Sequence, residues 1–245
     1  MLIKVKEIVN AWSIQPTGVI HVGAHAAEES NDYQQYNWKP VTWIEANPLL
    51  IDHLSEIVPR EDVVICAALW DEDGVKIDFN IATNGESSSL LVPAQHLNEY
   101  PEIQFTSKLN LQTKRLDSLM KDVPNFLNLD VQGAELRVLR GMGKLIKSLD
   151  YIYTEVNDVE LYVDCAKLNE IDEFLVSNGF HRICLRRSGD AGWGDALYAR
   201  SDIGLKKSLK VTLRTFIGFS KFRVYIAAKW IKDVVARERS DLKFQ

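Results

Sequence analysis

The residues best suited to chemistry in this chain are carboxylates at the ends of short apolar runs. Glu45 falls near the end of residues 41–46 (VTWIEA), Asp130 closes 125–130 (NFLNLD), and Glu155 stands near the end of 150–156 (DYIYTEV). A carboxylate at a strand tip can accept both hydroxyl hydrogens of a ribose, take a proton from an attacking alcohol, or join a second one around a divalent cation. Glu45 follows Gly23 by 22 positions, close to the roughly 20-residue interval at which an acidic residue meets a ribose diol in nucleotide-binding sheets. Asp130 is the first candidate for a general base and Glu155 the second. The histidines His25, His96 and His181 are further loop candidates, although His181 after Phe180 and His53 in a helical surface pattern read better as structural.

A turn of small residues, Gly23-Ala24-His25-Ala26-Ala27-Glu28-Glu29, ends the first apolar run. Such a turn lets a ligand approach the backbone, and a helix behind it offers free N–H groups. It is not the G-x-G-x-x-G fingerprint, because His25 and Glu28 stand where the second and third glycines would be. Ser87, Ser88 and Ser89 in a polar loop are candidates for lining an acceptor or for forming a turn. Trp193, in the glycine-rich stretch 188–194, is a candidate for stacking on a sugar ring; Trp12, Trp38, Trp43 and Trp70 read as packing residues.

The elements that must position these residues alternate. Apolar runs at 18–23, 41–46, 62–68, 125–130 and 150–156 are separated by helical spacing at 26–37, 49–57, 115–122 and 133–147, the pattern of crossover units in a parallel sheet. Residues 74–114 break the rhythm and read as a hairpin-like strand at 75–81, a polar loop and a short strand around 110–113. A helix at 167–177 stops at Asn178-Gly179, and strands at 180–187 and 195–200 close the domain. The expected fold is α/β: a doubly wound, mixed seven-stranded sheet spanning residues 1–203, followed by a helical extension at 204–245.

The most specific stretch is LDVQGAELRVLRGM, residues 129–142. Together with VGAHAAEE, WIEANP, AALWDEDG, SSSLL, TKRLDSL, TEV and the final GF…GDALYA, it resembles the FkbM family of S-adenosylmethionine-dependent methyltransferases over about residues 18–200. The resemblance implies the Rossmann-like class I methyltransferase fold, with S-adenosylmethionine as cofactor. It implies that Gly23, Ala24, His25 and Glu28 surround the methionine part, that Glu45 and Ala46 meet the ribose, and that Ala67, Ala68 and Leu69 lie beside the adenine. Asp130 would face the reactive end. Gln132 stands where the family commonly has Glu, and His25 where Asn is common. The implied activity is O-methylation of a hydroxyl on a sugar in a polysaccharide, glycolipid or similar product. Two other classes stay open: a nicotinamide-dependent oxidoreductase, against which the absent glycines count, and a non-catalytic binding protein retaining the fold. A divalent metal is compatible with the acidic residues but is not predicted.

The charge distribution adds a setting. Of 245 residues, 46% are apolar and 26% charged, and the net charge is −5. Residues 204–245 hold 11 Lys/Arg against 3 Asp/Glu, leaving 18 against 31 for residues 1–203. In the basic segment Leu205, Leu209, Leu213, Phe216 and then Phe222, Ile226, Trp230 and Val234 recur at helical spacing, the signature of amphipathic helices that lie on anionic membrane or pack on the body or a second subunit. Nucleic acid is not expected, since no recognition motif accompanies the charge. Three widely spaced cysteines and the lack of a cleavable leader or membrane-spanning run lead to the expectation of a cytoplasmic protein, peripheral at the inner membrane face if the basic helices bind lipid.

Overall fold

Short strands flanked by helices organise the chain. The computed structural model describes residues 1–201 and 203; the basic segment 204–245, with its expected helices, lies outside the described residues. In order, the elements are α1 (Val5–Trp12), β1 (Val19–Val22), α2 (Ser30–Gln35), β2 (Val41–Glu45), α3 (Ile51–Ile57), β3 (Val63–Cys66), β4 (Ala68–Leu69), β5 (Lys76–Ala82), α4 (His96–Glu99), β6 (Phe105–Lys114), α5 (Leu116–Leu119), β7 (Phe126–Leu129), α6 (Glu135–Gly141), β8 (Tyr151–Asn157), α7 (Leu168–Ser177), β9 (Phe180–Arg187) and β10 (Trp193–Arg200).

Seven strands form one sheet in the order β3-β2-β1-β7-β8-β10-β9. β1 pairs in parallel with β2 and β7, β2 with β3, and β7 with β8, whereas β10 runs antiparallel to both β8 and β9. This is the expected mixed, doubly wound sheet of the class I methyltransferase type. Strand order reverses between β1 and β7, so a ligand crevice opens beyond their carboxyl ends.

Side chains alternate between the two faces of each strand, and both faces are covered. Ile20, Val22, Leu127, Leu129 and Ile152 join Val138 and Leu139 of α6 and Ile171 of α7 in one core. Val19, Trp43, Phe126 and Tyr153 join Ile8 of α1, Tyr33 of α2 and Leu54 of α3 in the other. Because both faces are buried, β1 and β7 read as apolar runs, each broken by one buried polar residue, His21 and Asn128, whose side chains meet the Tyr33 hydroxyl.

Several elements differ from the sequence reading. The helix expected at 26–37 shrinks to α2, since His25 at φ 42° and Ala27 at φ 52° adopt left-handed backbone that no α-helix contains. The one expected at 133–147 divides at Gly143, φ 51°, into α6 and a 3-10 segment, Gly143–Ser148. The short strand around 110–113 is the end of β6, ten residues long, which pairs with β5 and β4 in a separate three-stranded sheet. α1 had no counterpart in the apolar-run pattern; it places Val5 and Ile8 in the core.

Candidate functional site

The crevice at the strand-order reversal is a cavity of about 540 Å³. Gly23, His25, Glu28, Glu45, Ala46, Ala67, Leu69, Asp130, Glu155, Ser88 and Trp193 all line it. Ala24, Ala68 and Ser89 do not: the first two are packed in the cores, and Ser89 is turned toward the backbone. Thus one space unites most of the predicted site.

The turn after β1 is built by close backbone approach. Gly23 N and Ala24 N both donate to Ile44 O, at 2.9 and 3.2 Å, and Asp130 N donates to Val22 O at 3.0 Å. A Cβ on Gly23 would lie 1.7 Å from the Asp130 carbonyl oxygen. The glycine therefore lets the tip of β7 close on β1, a packing role in addition to any approach by a ligand. On the outer side, His25 Nδ1 meets Glu28 Oε1 at 2.7 Å, and this bond raises the imidazole's proton affinity despite its partial burial.

Glu45, only 6% exposed, ties two loops together. Its Oε2 accepts from His25 N at 2.9 Å and its Oε1 from Asn47 N at 2.7 Å. Burial raises its pKa, against the pull of these donors. Each oxygen keeps lone-pair capacity on the cavity side, which suits a vicinal diol.

At the other end, carboxylates converge. Gln132 Nε2 donates to Asp130 Oδ1 at 2.7 Å and to Glu155 Oε2 at 3.1 Å. Glu155 is the cross-strand partner of Asp195, which accepts from Leu2 N and the Tyr153 hydroxyl. Behind them Glu135 Oε1 accepts from Val131 N and Gly133 N, both at 3.1 Å. Burial, then mutual repulsion, raises the pKa of Glu155 well above the usual carboxylate range and brings Glu135 to about 7. Burial likewise takes Asp195 to about 7 and raises Asp130. An amide N–H group lies between Asp130 and Glu155, so the pair is arranged to receive donors rather than to chelate a cation between them. The described residues bring one group of three metal-capable side chains together, His25, Glu28 and Glu86, with ligand atoms within 4.8 Å; Glu28 and Glu86 are exposed, and Glu28 already occupies the His25 Nδ1.

The loop between β5 and β6 walls the remaining side. Its serines hold backbone: Ser88 Oγ accepts from Ala82 N at 3.0 Å, and Ser89 Oγ donates to Gln132 O at 2.7 Å. Trp193 Nε1 donates to Tyr100 Oη at 2.8 Å. With buried His96, 5.0 Å from the Tyr100 ring, they make an aromatic side to the cavity. His181 and His53 do not line it.

A methyltransferase FkbM domain model matches residues 21–182 of this chain. The chain belongs to the FkbM methyltransferase family. Membership in a methyltransferase family counts against the nicotinamide alternative. S-adenosylmethionine fits the donors present, with a buried carboxylate for a diol at one end and a cluster of acids for a sulfonium at the other. The FkbM chain is 33% identical over 122 residues to the 2-O-methyltransferase NoeI of Sinorhizobium fredii (strain NBRC 101917 / NGR234), covering 45% of this chain and 49% of that protein. It thus spans about half the length of the curated relative it matches. Among solved structures, magnesium protoporphyrin IX methyltransferase of Synechocystis PCC 6803 with bound S-adenosylhomocysteine is 10% identical, with TM-score 0.48 and 80% of each chain covered. The N-methyltransferase NodS of Bradyrhizobium japonicum WM9 is 10% identical, with TM-score 0.44, covering 80% of this chain and 93% of that one.

Glu135 and Asp195, which lie in the LDVQGAELRVLRGM and GDALYA stretches but had no site role there, and Tyr153 and Tyr162, outside those stretches, are neighbours of the site. Asp195 had one sequence signal, an acid opening the otherwise apolar ALYA of the last strand. No helix among the described residues is long and apolar enough to cross a membrane.

Proposed function

We propose that this FkbM methyltransferase transfers the methyl group to a hydroxyl of a sugar in a polysaccharide, glycolipid or related product. The observation that carries the reading is the pairing of two strand-tip carboxylates, Asp130 and Glu155, with an aromatic wall containing Trp193 and Tyr100 in one cavity. Aromatic faces suit the apolar side of a sugar ring, and a carboxylate suits a hydroxyl proton. The 2-O-methyltransferase NoeI, matched over half its length, supports transfer to oxygen.

S-adenosylmethionine supplies an electrophilic methyl group on a charged sulfur. The protein's own share is positional. Glu45 would hold the ribose, and Gly23, His25 and Glu28 would flank the methionine part. Asp130, with Glu155 behind the shared amide, would orient the acceptor hydroxyl and take its proton as the oxygen is methylated, with the neutral thioether as leaving group. Holding the two reactants in line contributes much of the acceleration.

The basic segment 204–245 would bring the enzyme to an anionic surface, where lipid-linked acceptors reside. Flotation of the full chain with anionic and with neutral vesicles separates this from packing on a partner. The acceptor reading is tested by incubating the enzyme with labelled S-adenosylmethionine and a glycan panel. An O-methyl ether on a sugar is the expected product; methylation of amines alone would overturn it.

A further inference from the structure

Gln132 sits among ionisable side chains but carries no charge. Its two Nε2 hydrogens go to different carboxylates, Asp130 Oδ1 and Glu155 Oε2. Its Oε1 accepts the Tyr162 hydroxyl at 2.9 Å, so turning the amide over would set an oxygen against two carboxylates. The backbone is pinned as well, left-handed at φ 54°, with the carbonyl held by Ser89. The side chain is thus fixed before any ligand arrives.

The consequence follows from what surrounds the pair. Glu135 from α6, Asp195 from β10, Glu29 before α2 and the Tyr162 hydroxyl all present negative charge or a buried acid to Asp130 and Glu155. His21 from β1 and the Met1 ammonium oppose them. Hydrogen bonds donated to an ionised carboxylate favour that form, and a third carboxylate in the same space would do the reverse. One N–H for each acid also leaves each with an oxygen uncommitted.

We propose that Gln132 is a positioning residue that keeps the Asp130–Glu155 pair able to accept the acceptor's proton near neutral pH, by donating one N–H to each carboxylate. This rests on the reading that the pair meets the acceptor hydroxyl.

The test is the pH dependence of kcat/KM in wild type, Gln132→Met and Gln132→Glu. The acid limb is expected to move to higher pH by about one unit in Gln132→Met and further in Gln132→Glu. Below the limb that is a loss of about 10-fold in Gln132→Met, shrinking as pH is raised past the limb and falling on kcat more than on KM. Tyr162→Phe, which leaves the amide in place but frees its carbonyl, is expected to shift the limb less and serves if position 132 variants do not fold. In cofactor-free protein, the ¹³C carboxyl resonances of Asp130 and Glu155 should titrate at higher pH in Gln132→Met than in wild type. Uniform loss at every pH, with unmoved limb and resonances, would assign Gln132 to the turn alone and overturn the proposal. The reading beneath it fails separately: near-normal turnover in both Asp130→Asn and Glu155→Gln would remove the pair from catalysis whatever Gln132 does.

Discussion

Glu155 of β8 and Asp195 of β10 face each other as direct partners across an antiparallel ladder, with side chains 5% and 3% exposed. Burial disfavours the charged form of each. Asp195 and Glu135 each titrate at about 7 in the folded chain, against about 4 when unfolded. Between those values the native protein keeps protons that the unfolded chain has released. Stability from these groups is therefore fullest below about pH 4, falls as pH rises from about 4 to 7 and levels off above 7. Asp195→Asn retains an oxygen for Leu2 N and the Tyr153 hydroxyl but has no charge to bury. Thermal melts should show its Tm declining less than wild type between pH 5 and 8, by several degrees; parallel declines would contradict the assignment.

Glu45 uses both oxygens as acceptors of backbone N–H groups. Glu45→Ala should weaken S-adenosylhomocysteine binding by about 10- to 100-fold, the range for loss of hydrogen bonds to a charged group. Glu45→Gln should not restore it, because one end of the amide would turn a donor toward a donor. Calorimetric titration checks both, and undiminished binding in Glu45→Ala would take the ribose role from this residue.

Gly23 and Gly74 separate two costs of a side chain at positive φ. Gly74 at φ 78° has nothing within 4 Å of an added Cβ, whereas at Gly23 the atom would overlap the Asp130 carbonyl. Gly74→Ala should cost about 1 kcal/mol from backbone conformation alone. Gly23→Ala should cost more than about 3 kcal/mol or prevent folding. Denaturant unfolding of the two variants gives the comparison, and equal effects would contradict the close approach of β7 to β1.

Trp193 borders the cavity on the side away from Glu45. Trp193→Ala should raise KM for a glycan acceptor by about 5- to 20-fold, from lost aromatic contact, with cofactor affinity unchanged within about 2-fold. A loss confined to cofactor binding would move Trp193 out of the acceptor side.

Much of this was legible in the sequence because the sheet is buried on both faces. Runs such as VTWIEA and NFLNLD mark strands, and an acid at the end of an apolar run marks a strand tip, which is how Glu45, Asp130 and Glu155 could be placed in one crevice. β6 was harder to bound. In FTSKLNLQTK, Leu109, Leu111 and Thr113 alternate with exposed residues, whereas residues 106–108 are all exposed, so the first half shows no apolar alternation. The contacts that organise the acids were hidden for another reason. Leu2 and Asp195 are 193 positions apart and Gln132 and Tyr162 are 30 apart, and no local pattern links such partners. The small-residue turn suggested ligand approach, yet at Gly23 the space is taken by the protein's own backbone, a distinction that only packing reveals.

In the proposed reaction Asp130 is the group that receives the acceptor's proton. Its most direct test is methyl transfer from labelled S-adenosylmethionine to a methylatable glycan by wild type and Asp130→Ala, with S-adenosylhomocysteine binding measured alongside to establish that the variant is folded. Turnover is expected to fall by about 100-fold or more, the usual contribution of a general base, while binding persists. Near-normal turnover in Asp130→Ala would contradict that role.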